Sequence, residues 1–369
     1  MTFNLNPIII KEFRSRMRGW RAFAILTAYL LFLAFFSYGV YQMVLFFPIY
    51  GTPLSPVVGQ SLYSAIMNLS LVFVAFLMPA LTATAISSEQ ERLTLEMLQA
   101  TPLSPHTILI GKLVSSAGYI FLLIFAAVPL ISLVFIFGGV TLADIALGGL
   151  IILATALTYG IIGLFFSAWR KRTIQALVFS YLTIIVMIAG SYALYIFWGV
   201  VTREGPPRHL LLLNPFSALA SVVATNSLNY SNPVLMLSSF SAGWGPWMIS
   251  SEVYPDLYPL WYYTLAFYLG LGLGLYFLAT RLIKPIRPWR LSRLGLITMI
   301  GLLLLYLVGS AAVFMPDVQA EIEARSLTPT PAPFGPMLME RAVPIPTEAL
   351  NVEPTTEPAG TGESEAGED

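Results

Sequence analysis

SSEQERLTLEMLQATPLSPHTILIGKL, residues 87–113, is a charged island set between two long apolar runs, 59–86 and 108–137. It carries Glu89, Glu91 and Glu96 together with Arg92 and Lys112. A chain usually joins its helices with a few turn residues, so this length and charge predict a short helix presented to something soluble. Ser88-x-x-Glu91 has the pattern of a capping box, in which a hydroxyl and a carboxylate satisfy the free N–H groups of a helix start. Past it, Leu95 and Leu98 fall on one side of a helix while Glu96 and Gln99 point elsewhere. Thr101-Pro102-Leu103 then turns the chain back. Ser104-Pro105 supplies an N-cap and a first-turn proline for the run that follows. On spacing alone, a plain cytoplasmic turn accounts for the island equally well.

Outward from the island, composition sets the class. Hydrophobic residues make up 57% of the 369 residues and charged residues 10%, against about 25% charged in an ordinary soluble domain. A soluble chain of this length has no means of hiding so much apolar surface, whereas a lipid-facing chain has no need to. Cysteine is absent, which excludes disulfides, thiolate metal sites and cysteine nucleophiles. The formal net charge is zero, but residues 316–369 hold eleven acids and two Arg, so the remainder is basic. No nucleic-acid partner is expected.

Seven runs reach the roughly 20 residues that an apolar helix needs to cross a bilayer. They are 22–47, 59–86, 108–137, 145–169, 174–200, 260–279 and 294–315. Breakers delimit them: Asn6-Pro7 opens a short basic helix ahead of the first, Pro48 follows it, and Gly138-Gly139 ends the third. The first run follows basic residues, as a signal peptide would. Its 26 residues exceed a signal's apolar core and no small-x-small cleavage site follows, so it is expected to be retained. With the N-terminus inside, 15 of the 19 Lys and Arg fall in inner segments, leaving Arg203, Arg208, Arg325 and Arg341 outside. That bias predicts a cytoplasmic N-terminus and, with seven spans, an extracytoplasmic C-terminus in the plasma membrane.

Residues 201–259 are more than a loop. They contain LLLLNPFSALASVVA (210–224) and SAGWGPWMIS (241–250), too short to cross but apolar and aromatic enough for re-entrant or interfacial helices. A lid of surface helices without a transport role is the plainer reading. Asn214-Pro215 reads as a helix start. Residues 316–369 lack apolar periodicity and are rich in Pro, Thr, Glu and Gly, so burial does not offset their ordering entropy and disorder is expected.

The search for chemistry is mostly negative. No Asp, Glu, Arg or His falls within the seven runs, and the one Lys, Lys112, lies at the inner end of the third. Ion-coupled carriers and proton pumps usually need such groups at membrane depth. His106 and His209 fall on opposite sides of the membrane and do not share a metal under this topology. Gly111-Lys112 lacks the earlier Gly and the following Ser or Thr of a P-loop, those positions being His106 and Leu113. The chain is therefore expected to hold no metal, to bind no cofactor and to hydrolyse no ATP itself. Gly270, Gly272 and Gly274 alternate within one span and are read as sites of close helix packing.

Three motifs resemble those of the ABC type-2 transporter permeases, the membrane subunits of ATP-binding-cassette exporters. NPIIIKEFRSRMRGWRAF (6–23) precedes a long span. PALTATAISSEQERLTLEMLQATPLSPHTILIGKL (79–113) has an acidic pair, a Thr-Leu-x-x-Leu helix, a Thr-Pro-Leu turn and a Gly-Lys. Asn214-Pro215-Phe216 with Ala218-Leu219 is similar to the outer motif before the sixth helix. The resemblance covers roughly 4–285. It departs from the family pattern at Arg92-Leu93, where a small residue is common before the Thr, and at the seventh span and acidic tail.

The resemblance implies an all-α polytopic membrane protein with a six-helix core. Residues 1–21 would form a basic elbow helix with Arg14, Arg16, Arg18 and Arg21 near lipid headgroups. Residues 22–285 would form the core, with a coupling segment at 87–107 and the outer region at 201–259. The family pattern says nothing of the cytoplasmic loop and seventh span (286–315) or of the tail (316–369), which are read from composition alone. Glu89, Glu91, Arg92, Thr94, Leu95, Glu96, Leu98, Thr101 and Pro102 would dock on a separate ATPase subunit, which would carry the ATP and Mg. Lys112 would hold the base of span three at the headgroup layer. Two permease copies would enclose a path lined mainly by spans two and five. A non-transporting membrane scaffold that binds a cytoplasmic protein is the alternative, and a membrane-embedded enzyme is disfavoured by the missing polar groups.

Overall fold

The computed structural model describes residues 12, 19–46, 54–94, 105–170, 172–202, 208–224 and 260–283. The chain divides into two units, Met1–Thr330 and Pro331–Asp369, and every described residue lies in the first. Those residues are helical, with no strand among them. In order they form α1 (Trp20–Phe46), α2 (Leu54–Glu91), α3 (Pro105–Ala126), α4 (Val128–Phe137), α5 (Leu142–Trp169) and α6 (Thr173–Ile185). A π-helical segment, Val186–Gly190, leads into α7 (Ser191–Thr202), and α8 (Pro215–Ala224) and α9 (Leu260–Leu282) follow. Six helices or helix pairs are long and apolar enough to cross a membrane: Ala22–Phe46, Pro56–Glu91, Pro105–Phe137, Leu142–Trp169, Thr173–Trp198 and Leu260–Leu282. They match the first six expected spans. The seventh, at 294–315, the tail and the segment at 241–250 lie outside the described residues.

The core is the parallel pair α2 and α5. Small residues on α5 let the two backbones close on each other: a Cβ at Gly148 would strike the Tyr63 hydroxyl, one at Gly160 the Met78 side chain, and one at Gly163 the Thr82 hydroxyl. Hydroxyls inside the bundle satisfy themselves one turn back, as Thr82 does on Met78 O (2.9 Å) and Thr155 on Ile151 O (2.8 Å). Tyrosines link neighbouring helices. Tyr29 and Ser70 share a hydrogen bond at 3.0 Å, and Tyr63 donates to Asp144 O at 2.6 Å. Around this core α1, α3–α4, α6–α7 and α9 turn large apolar side chains outward, among them Phe35, Ile136, Ile174 and Phe197. Lipid is the solvent such a surface suits.

Proline breaks one span and loosens another without breaking it. Pro129 has no N–H to continue the ladder, so span three breaks into α3 and α4 at Ala127. In α2, Pro79 opens the ladder and the neighbouring Phe76 O accepts from the Tyr181 hydroxyl of α6 at 2.6 Å. The glycine reading of α9 holds in part. A Cβ at Gly272 would press on Ile161, whereas Gly274 has nothing near it.

The end of the bundle opposite the island is closed by backbone geometry. Gly138 and Gly139 adopt φ of 78° and 81°, and a Cβ on Gly139 would collide with Pro56 at the start of α2. Two residues later Thr141 starts α5 with a complete capping box: the Asp144 N–H donates to Thr141 Oγ1 (3.2 Å), and the Thr141 N–H donates to Asp144 Oδ2 (2.8 Å).

Candidate functional site

The island leaves the bundle at the end of α2. This helix has 38 residues, about 57 Å at 1.5 Å per residue, while the hydrocarbon core is about 30 Å thick. One or both of its ends therefore stand clear of the hydrocarbon, and the acids sit at one of them. The helix closes with a Schellman motif. The Thr94 N–H donates to Glu89 O (2.9 Å), the Leu93 N–H to Gln90 O (3.2 Å), and Leu93 takes φ of 58°. Thr94 Oγ1 also donates to Glu89 O, at 3.3 Å.

Two expectations are corrected here. Ser88-x-x-Glu91 is not a capping box, because α2 runs unbroken through Ser88 to Glu91. The apolar run before it contains no stop, so these four residues form a helix end. Lys112 does not reach toward headgroups. It is 3% exposed and donates to Glu89 Oε1 at 2.8 Å and Glu12 Oε1 at 3.2 Å, both carboxyl side chains being 26% exposed. About two turns into α3 from Pro105, its short reach to two carboxylates outweighs the longer reach to solvent.

Electrostatics explains where both acids go. A helix C-terminus carries partial negative charge, so Glu89 and Glu91 repel the end of their own helix. Glu89 is compensated by the Lys112 ammonium. Glu91 finds compensation on another helix, since Oε1 accepts the Thr173 backbone N–H at 2.7 Å and Oε2 the Thr173 hydroxyl at 2.9 Å. Thr173 is the first residue of α6, whose own N-cap, Arg172, makes no side-chain cap bond. Glu91 thus supplies from 82 residues away the acceptor that a local cap would give.

Further contacts gather the other spans at this end. Ser167 Oγ on α5 accepts the Ile86 and Ser87 N–H groups, each at 2.9 Å. His106 Nδ1 and the Tyr276 hydroxyl lie 3.3 Å apart, joining α3 to α9. The Arg170 guanidinium lies 4.3 Å from the Trp169 ring and 4.2 Å from the Phe179 ring, bridging α5 and α6. Ser167, Thr173 and Tyr276 carried no signal in the sequence, each being a small hydroxyl or an aromatic in or beside an apolar run. Of the expected interface residues, the structure brings Glu89, Glu91, Arg92 and Thr94 to one helix end. Leu95, Glu96, Leu98, Thr101 and Pro102 lie outside the described residues, as do Arg14, Arg16 and Arg18. Arg21 falls in the first turn of α1. Among the described residues no group of His, Asp or Glu is arranged to hold a metal.

At the far end the Asn214 motif is a buried joint. Asn214 Oδ1 accepts the Phe216 N–H at 3.0 Å and Pro215 occupies the first helical position of α8. Asn214 Nδ2 donates to Ile188 O in the π segment and to Ser191 Oγ, both at 3.3 Å. Ser221 Oγ accepts the Trp261 N–H at the start of α9 (3.0 Å), and the Tyr268 hydroxyl donates to Leu213 O (3.0 Å).

Six apolar helical spans around a close-packed centre define a multi-pass membrane protein. The family model for ABC-2 family transporter proteins matches residues 6–282, and the chain belongs to that family of transporter permeases. No curated protein was found to match it.

Proposed function

We propose that the chain is the membrane subunit of an ATP-driven exporter, powered by a separate cytoplasmic ATPase subunit that grips the island. The observation that carries this reading is the end of α2, an ordered helix end braced by a buried Lys and by the start of α6. A mere turn between spans needs no such bracing. Membership of a family whose permeases typically work with an ATPase subunit supports it, as does the lack of a P-loop in the sequence. The N-terminus is cytoplasmic, and the C-terminus lies outside if 294–315 crosses. Two copies would face each other across the path, in contact with lipid. Arg92, Thr94, Leu95, Glu96, Leu98, Thr101 and Pro102 make up the segment presented to the ATPase, with Leu95 and Leu98 as its apolar contact and with Glu89 and Glu91 at its base.

The test is to purify a tagged copy from its native membranes and identify what accompanies it. A nucleotide-hydrolysing subunit should co-purify, the pair should hydrolyse ATP in proteoliposomes, and the isolated chain should not. Leu98→Asp puts a charge into an apolar contact and should weaken the pair. A Leu98→Asp chain that binds and drives hydrolysis at the wild-type rate sinks the assignment of the island.

A further inference from the structure

Span five is divided in its attachments. Its first half, α6, is tied to α2 twice, by Glu91 to Thr173 at its start and by Tyr181 to Phe76 O at 2.6 Å further along. Its second half, α7, belongs to other elements: Ser191 takes the Asn214 amide (3.3 Å), and Tyr195 is buried with Leu211 and Leu260. Between the halves lies the π segment Val186–Gly190. There the ladder is out of register, and such segments bend more readily than α-helix.

From this arrangement we propose that Glu91 is a positioning residue that passes movement of the island into the first half of span five, with the π segment taking up the displacement against the second half. The inference rests on the transporter reading above, and it changes the role of Glu91 from docking contact to internal link. The geometry favours the link because both carboxylate oxygens are committed to Thr173. It also supplies a reason for the clamp beside it. Glu89, Lys112 and Glu12 hold the end of α2 to span three and the N-terminal segment, so a pull on residues 92–104 turns the end of α2 as a unit. Without the Glu91 bond, the start of α6 would lose its side-chain cap and the pull would reach α6 only further along, through Tyr181.

The chain has no cysteine, which permits a direct test in the full complex with its ATPase. In proteoliposomes, Glu91→Ala should leave co-elution of the ATPase subunit unchanged and lower ATP-driven transport about fivefold, the order of a lost cap expressed as a coupling factor. Glu91→Gln, which keeps an amide oxygen for the Thr173 N–H, should recover most of it. The double variant Glu91→Cys with Thr173→Cys, joined by a short bismaleimide, should transport better than the same protein left unjoined. If Glu91→Ala abolishes co-elution, Glu91 is a docking residue and the proposal is overturned. It is equally overturned if Glu91→Ala transports normally, or if joining the two cysteines restores nothing. A wild-type chain that holds no ATPase overturns the transporter reading itself, and that is seen before any variant is made.

Discussion

Thr141-Leu142-Ala143-Asp144 and Ser88-Glu89-Gln90-Glu91 spell one pattern, a hydroxyl followed three residues later by an acid. At the far end of the bundle the pattern is a capping box that begins α5. At the island end it closes α2, and its last acid caps a different helix. The difference lies in what precedes each. Gly138 and Gly139, both with positive φ, break the chain just before Thr141 and free the next N–H groups for capping. Before Ser88 the helix is uninterrupted from Leu54, so those N–H groups are already engaged. A capping pattern is therefore evidence of a helix start only when something upstream has stopped the previous helix. The far end is also held by glycine turns, by one residue capping its own helix and by the neutral Ser221 hydroxyl on the start of α9. The island end is held by ion pairs and a cap between helices.

The largest effect that tests this contrast is at Lys112. Removing its ammonium leaves Glu89 and Glu12 uncompensated at a partly buried site. Lys112→Ala should cost about 2–3 kcal/mol, below the range for fully buried pairs because both carboxylates are partly solvated. Equilibrium unfolding in mixed micelles measures it. An unchanged midpoint would mean that the island end is not held by charge. Next comes Asp144→Ala, which removes the reciprocal half of the capping box while leaving the Asp144 carbonyl that Tyr63 uses. It should lower stability by about 1–2 kcal/mol in the same assay, with the loss localised by hydrogen exchange to the first turn of α5. The smallest effect is the sharpest. Ser88→Ala should be neutral or slightly stabilising, within about 0.5 kcal/mol, because alanine is the better helix interior. A loss of about 1 kcal/mol there would restore Ser88 as a cap and remove the difference between the two ends.

Several features were legible in the chain because their causes are local. The first six spans followed from apolar length, the Asn214-Pro215 helix start from capping chemistry, and the break after span three from Gly138-Gly139. The end of α2 was not legible, for a specific reason. A Schellman motif usually announces itself by Gly or Asn in the left-handed position, and here Leu93 occupies it. With no stop signal, the hydroxyl-acid pair looked like a start. The partners of Lys112 were not legible either, because the headgroup role that the resemblance implies says nothing of what stands beside it. Glu89 lies 23 residues away and Glu12 100 residues away. Thr141-x-x-Asp144 is the local counterpart, since it follows two glycines.

By itself the sequence determined the class of the molecule, the positions of the first six spans, and the place of the charged segment among them. These depend on runs of side chains whose transfer to lipid is settled residue by residue. Only the tertiary structure decided what the charges do. An acid at a helix C-terminus gains from a positive charge or a free N–H elsewhere. Which one it finds depends on the helices that α2 touches, and therefore on small residues at Gly148, Gly160 and Gly163 that let α5 close upon it. That packing brings Ser167 to the end of α2 and holds Thr173, at the start of the next helix, within reach of Glu91. Contacts between residues 80 or more apart carry no periodicity and no motif, so they exist only once the bundle has formed.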